Sequence, residues 1–177
     1  ILLIMELIDI MLKRRSIRKY TDEDISDEKI EKIIEAGLLA PTSRNRKPCE
    51  FIVVKNKEVL ERLSHTKASG SNMLAGANVA IAVFADSTKA DTWIEDASIA
   101  LTYMDLMAVS LNIGTCWTQM HLRFSEDDIS SEEIARNILS MDDNYNIVGI
   151  LSLGIPNEVK KPHSLDNLSK DKVKYIL

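Results

Sequence analysis

Cysteine is nearly absent from this sequence. Cys49 and Cys116 stand far apart with no Cys-x-x-Cys spacing. That excludes a disulfide scaffold and fits a reducing compartment, so a cytoplasmic location is expected. Histidine is equally scarce. His65, His121 and His163 are isolated from one another, nothing has metal-ligand spacing, and no metal site is expected. The glycine-rich dinucleotide fingerprint, the Walker loop, the Gly-x-Ser-x-Gly elbow and the His-Glu-x-x-His helix are all missing. The chemistries that depend on those motifs therefore lack their signatures. Long apolar runs are missing too. The first fifteen residues, ILLIMELIDIMLKRR, are interrupted by Glu6 and Asp9. They are too short and too charged to span a bilayer, and their cations follow the apolar stretch where a signal peptide puts them before it. No membrane association is expected. Positive charge is in deficit as well, with 22 Lys+Arg against 27 Asp+Glu. A net −5 argues against a nucleic-acid surface, which needs a broad basic face.

What the chain does have is bulk. At 177 residues, 45% hydrophobic and 28% charged, it can bury a core and is read as one soluble domain over 1–177. It also has one dense knot of positive charge. KRRSIRKY, residues 13–20, holds five cations, without which 17 Lys+Arg would face 27 Asp+Glu. A solvated patch at a helix C-terminus explains Lys13, Arg14 and Arg15, because cations favour the negative end of the helix dipole. Ser16 and Arg18 fit a bound phosphate as well, since guanidinium forks the oxygens and a hydroxyl adds one more bond.

Apolar periodicity places the elements. Ile4, Leu7, Ile8, Met11 and Leu12 make one helical face ahead of the knot, and Met5 is read as the natural start. Ser26 opens a helix with Asp27 and Glu28 in its first turn, and Ile30, Ile33, Ile34 and Leu38 form its buried stripe before Pro41 stops it. FIVV (51–54), VAIAVFA (79–85) and IVGILSLG (147–154) read as strands buried on both faces. IGTCWTQ (113–119) is read as including a further strand, and residues 57–66 as a helix. The longest periodic segment, 91–112, predicts an apolar central helix capped by Asp91. Ser130 and Glu133 make a capping-box pattern. The expected class is α+β or α/β.

Four motifs follow one another: RRSIRKY, then APTSRNRKP (40–48), then GTCWTQM (114–120), then LSLGIP (151–156). Each has a plain reading as loop, core or turn. A lone buried cysteine is usually inert, and no base partners Cys116, so thiol catalysis is rejected. In this order and spacing the four resemble the nitroreductase family of flavin enzymes, over about residues 10–163.

The resemblance implies an α+β fold, with a central mainly antiparallel sheet flanked by helices. It implies a domain-swapped-style homodimer formed through the helix 91–112, with FMN bound non-covalently at the subunit interface. Arg14 and Ser16 match the residues that hold the FMN phosphate, with Arg15 as helper, and Arg18 matches a cation near the flavin N1/O2 edge. Pro41, Thr42, Ser43 and Asn45 match a loop reaching the flavin of the other subunit, and Asn72 aligns with a polar flavin contact. Cys116, Thr118 and Gln119 match a segment against the ring, where the Thr118 N–H would face N5. Lys161 and His163 match basic phosphate contacts. Cys49 stands where the family usually has an aromatic, and His163 where Arg is common. The implied reaction is ping-pong hydride transfer from NAD(P)H, through the flavin, to small-molecule acceptors such as nitroaromatics or quinones. Flavin binding without turnover, dehalogenation or flavin fragmentation, and a docking patch for an acidic partner are the alternatives.

Overall fold

The protein is described here by a computed structural model covering residues 6–176. Ile4 and Met5 lie outside the described residues. The remaining apolar positions of the first stripe fall on α1 (Leu7–Lys13). Four strands form one sheet: β1 (Cys49–Val54), β2 (Val79–Asp86), β3 (Gly114–Gln119) and β4 (Tyr145–Gly154). Their order is β1-β2-β4-β3 and every neighbouring pair is antiparallel. The four longer helices are α2 (Asp27–Leu39), α3 (Lys57–Ser64), α4 (Trp93–Ser110) and α5 (Ser131–Leu139).

The sheet has a core on each face. Val79, Ile81, Val83 and Ala85 of β2 pack toward α2 and α4, while Ala80, Ala82 and Phe84 pack on the side of α3 and α5. Strand alternation produces this division, and each fully buried large apolar side chain contributes about 1.5–3 kcal/mol. In β4 the alternation reverses. Leu151 and Leu153 share a core with Val148, while Ile150 shares the other with Ile147. The reversal sits at Val148, which the β2–β4 register skips between Gly149 opposite Val83 and Ile147 opposite Phe84, as one inserted residue requires.

α4 packs between α2 and the sheet, as its apolar composition predicts. The two helices approach so closely that a Cβ on Gly37 would lie 2.9 Å from Met104. Several sequence expectations need correction. Leu38 is 63% exposed, because α2 turns that position away from α4. β1 is an edge strand with Phe51, Ile52 and Val53 only half-buried, since just one strand flanks it. Thr92, not Asp91, is the N-cap of α4, and Asp91 instead pairs with Arg46 at 3.1 Å. Ser130 caps α5 by position but makes no side-chain cap bond. Glu132, rather than Glu133, is engaged, meeting His121 Nδ1 at 2.7 Å.

Candidate functional site

The basic knot follows α1 as extended chain. Ser16 forms a single parallel bridge to Thr115 of β3, and Ile17 N–H donates to the Thr115 carbonyl at 2.7 Å. The tail closes over the same place. Thr21 N–H donates to Ile155 O at 2.9 Å, and Asn157 N–H to Lys19 O at 2.8 Å. A Cβ on Gly154 would collide with the Tyr20 ring, so glycine there lets the knot lie against β4. Burial pushes the Tyr20 phenol well above its usual range, and its hydroxyl meets Ser152 Oγ at 2.8 Å.

The cations are held individually. Arg14 reaches Asp105 on α4 at 3.7 Å, and Arg15 donates to the Lys161 carbonyl. Arg18 uses its backbone N–H on Glu158 at 2.6 Å, and that bond, first among the causes, holds the Glu158 carboxyl below its ordinary value. His163 N–H donates to Leu12 O at 2.8 Å. Burial pushes the Cys116 thiol up, while Arg18, Ser16 and Lys160 pull it partly back. The structure therefore brings Arg14, Arg15, Ser16, Arg18, Cys116, Lys161 and His163 to one end of the sheet. Sequence reasoning missed two members. Lys160 Nζ donates to the Ser16 carbonyl at 2.6 Å, and only its place beside Lys161 hinted at this. Asp105 accepts from the Thr115 hydroxyl as well as pairing with Arg14. Its signal was present, because it is the sole charged residue in the apolar stretch 97–110.

The expectation for the Thr118 N–H is overturned by strand parity. Backbone groups of successive strand residues point to opposite edges. The Thr115 carbonyl points away from β4, toward Ile17. Cys116 and Thr118 must then turn inward, and Thr118 sits opposite Ile150 of β4. Met120 N–H, of the same parity, donates to Val148 O at 2.9 Å. The groups facing the open edge of β3 are those of Trp117 and Gln119. Their side chains are locked together, with Trp117 Nε1 donating to Gln119 Oε1 at 2.9 Å and Gln119 Nε2 to the His121 carbonyl at 3.3 Å. The Thr118 hydroxyl instead contacts Met73 Sδ at 3.5 Å.

Pro41, Thr42, Ser43 and Asn45 lie elsewhere in the chain. Ser43 N–H donates to Asp96 at 3.0 Å. Asp96 and Asp105 both belong to α4, and nine residues of helix separate them by about 13 Å. Asn72 is also apart from the knot. It lines a polar pocket of about 570 Å³ with Glu61, His65, Lys67, Glu126 and Asp127, although its neighbour Met73 touches Thr118.

Comparison with known proteins bears on the family and the fold. The sequence profile of the nitroreductase family matches residues 11–70 and 64–155. A protein of Archaeoglobus fulgidus, named as a candidate NADH dehydrogenase/NAD(P)H nitroreductase, is 36% identical over 166 residues, covering 92% of each chain. The solved structure of an FMN-dependent nitroreductase from Clostridium difficile R20291 superposes with a TM-score of 0.93 at 41% identity, covering 95% of this chain and 98% of that one. A nitroreductase-type protein of Desulfovibrio desulfuricans, solved in complex with FMN, gives a TM-score of 0.78 at 25% identity, with 98% of both chains covered. With the family profile spanning most of its length and the fold shared throughout, this chain belongs to the nitroreductase family.

Proposed function

We propose that the protein is an FMN-dependent NAD(P)H oxidoreductase that works as a homodimer. The observation that carries this is the convergence of knot and tail on the Ser16–Thr115 bridge, directly beside an edge of β3 whose Trp117 and Gln119 N–H groups face outward. The donor set fits FMN. Guanidinium, ammonium and hydroxyl groups suit a dianionic phosphate, and outward N–H groups suit the acceptor edge of a ring. FMN held by these residues would supply the redox chemistry, a ping-pong hydride transfer from NAD(P)H to a nitroaromatic, quinone or similar acceptor.

The chain supplies binding and electrostatics. Arg14, Arg15 and Ser16 hold the phosphate, with Lys161 and His163 beside them and Lys160 fixing the Ser16 backbone. Arg18 offsets negative charge that develops on the ring. The N–H groups of Trp117 and Gln119 take the role expected of Thr118. Burial first, then the Asp96 charge, pushes the Cys49 thiol up to about 12, so neither cysteine serves as nucleophile at neutral pH. The loop with Pro41, Thr42, Ser43 and Asn45 completes the site of a second copy.

The dimer is supported by an apolar groove of about 480 Å³ along α1, α2 and α4, lined by Leu7, Met11, Leu39, Tyr103 and Met107. Leu39 is 77% exposed in a single chain, which a partner surface would cover. Among the described residues no helix is long and apolar enough to cross a membrane, and the free thiols support a cytoplasmic location.

The visible spectrum of freshly purified protein, followed by anaerobic NADH and then NADPH, tests this reading. A flavin spectrum that bleaches with either donor supports it. A flavin spectrum that persists with both points to a binding protein without turnover. No flavin, and none taken up from added FMN, overturns it.

A further inference from the structure

The loop after α2 is held in a costly backbone shape. Arg44, Asn45 and Lys47 have φ of 52°, 55° and 48°, in the left-handed region that side chains other than glycine disfavour. A plain helix-to-strand connection would be satisfied by glycine at such positions, and none is present between residues 40 and 48. Strain of this kind persists only where the surroundings impose it, and it gathers at functional sites.

The loop is tied to Asp96, in the first turn of α4 and 2% exposed. Its Oδ1 accepts the Ser43 N–H at 3.0 Å, and its Oδ2 accepts from the Thr92 hydroxyl at 3.3 Å. Thr42 then closes the loop on itself. Its carbonyl accepts Asn45 N–H at 3.0 Å and its Oγ1 accepts Lys47 N–H at 3.1 Å. Arg46 is tied to Asp91 at 3.1 Å. The stretch is thus tied through Ser43 to the first turn of α4 and through Arg46 to Asp91 just ahead of that helix, while Arg44, Asn45 and Lys47 stay at the surface.

We propose that Asp96 is a positioning residue, holding residues 42–47 in one strained shape so that the loop meets FMN bound by a second copy already ordered. This rests on the FMN reading above. A loop ordered in advance loses less freedom on binding, and the saving appears as affinity. Asp96 itself lies beneath the loop and presents no charge to the ligand.

The test is titration of flavin-free protein with FMN, read by quenching of flavin fluorescence, with thermal midpoint and solution mass recorded alongside. Asp96→Ala is expected to raise the FMN Kd roughly tenfold, while Asp96→Asn, which keeps an oxygen for the Ser43 amide, stays within about threefold of wild type. Arg44→Gly is the variant safe for folding. It removes strain, so the flavin-free thermal midpoint holds or rises while Kd still climbs about threefold or more. That opposed movement is what a purely structural role cannot produce. Variants that bind FMN like wild type overturn the inference alone, as does a loss of affinity that tracks loss of the dimer, or equal losses in Asp96→Ala and Asp96→Asn. A wild-type protein that takes up no FMN overturns the FMN reading and this inference with it.

Discussion

The backbone N–H of Ile17 donates to the carbonyl of Thr115 across 2.7 Å, and this one bond sets the parity of the whole open edge of β3. Because Thr115 faces outward, so do Trp117 and Gln119, and Thr118 faces inward to β4. Proline scanning checks this. Gln119→Pro removes an outward N–H, which an edge tolerates, whereas Thr118→Pro removes a ladder bond. We expect Thr118→Pro to cost about 1–3 kcal/mol in urea unfolding, for the ladder partner left unpaired, and Gln119→Pro clearly less. Equal losses would put the parity in doubt. The folded Gln119→Pro protein should also be reduced more slowly by NAD(P)H.

Arg14 carries the phosphate hypothesis. A charged hydrogen bond is worth about 1.5–3 kcal/mol, so Arg14→Ala should weaken FMN roughly 10- to 100-fold. Riboflavin, which has no phosphate, should bind wild type and variant alike. A matching loss for both ligands would place Arg14 at the ring or in the fold instead.

Leu39 separates monomer from dimer. On a monomer surface, Leu39→Glu changes stability by no more than about 0.5 kcal/mol. In a dimer it buries a charge in an apolar contact. Size-exclusion chromatography with light scattering should give about 40 kDa for wild type, twice the 19.9 kDa chain, and a smaller species with weakened FMN binding for the variant. A wild-type monomer carrying FMN would end the two-chain site.

Asp105 gives a pH signature. Burial holds its carboxyl above the ordinary range, while the Thr115 hydroxyl and Arg14 pull it back down. A raised folded-state pKa means that folding favours the protonated acid. Its stabilising contribution is complete below the ordinary carboxylate pKa, near about 4, and is lost as pH rises through the raised value. Asp105→Asn should therefore flatten the fall in flavin-free stability above about pH 4 and be the more stable protein at pH 7. Urea midpoints measured below about pH 4 and near about pH 7 on both proteins decide it. A less stable variant at pH 7 would mean that the Arg14 pairing outweighs burial.

Much of this molecule was legible before any coordinates. The strands at 79–85 and 147–154 were readable as continuous apolar runs, and the helix at 91–112 by its periodicity, because burial on all sides leaves a composition that few other positions produce. The knot was visible because five clustered cations are costly in any chain and conspicuous in an acidic one. The sequence could not show that Leu38 faces outward, that Glu132 rather than Glu133 is engaged, or that Lys160 grips the Ser16 backbone. Each depends on a neighbour distant along the chain, and local pattern is silent on such neighbours.

By itself, then, the sequence determined the apolar segments and the knot of charge, since periodicity and charge are local properties, while the choice of α+β over α/β and the set of groups for a phosphate and a ring came from the order of motifs that resembles the nitroreductase family. Only the tertiary structure decided which of those groups meet. The pairing of Ser16 with Thr115 chose the outward N–H groups, and the length of α4 between Asp96 and Asp105 divided the candidate residues into two sets that one chain does not join. Hydrogen-bond direction and distance across the sheet are properties of packed elements, and they exist only once the chain has folded.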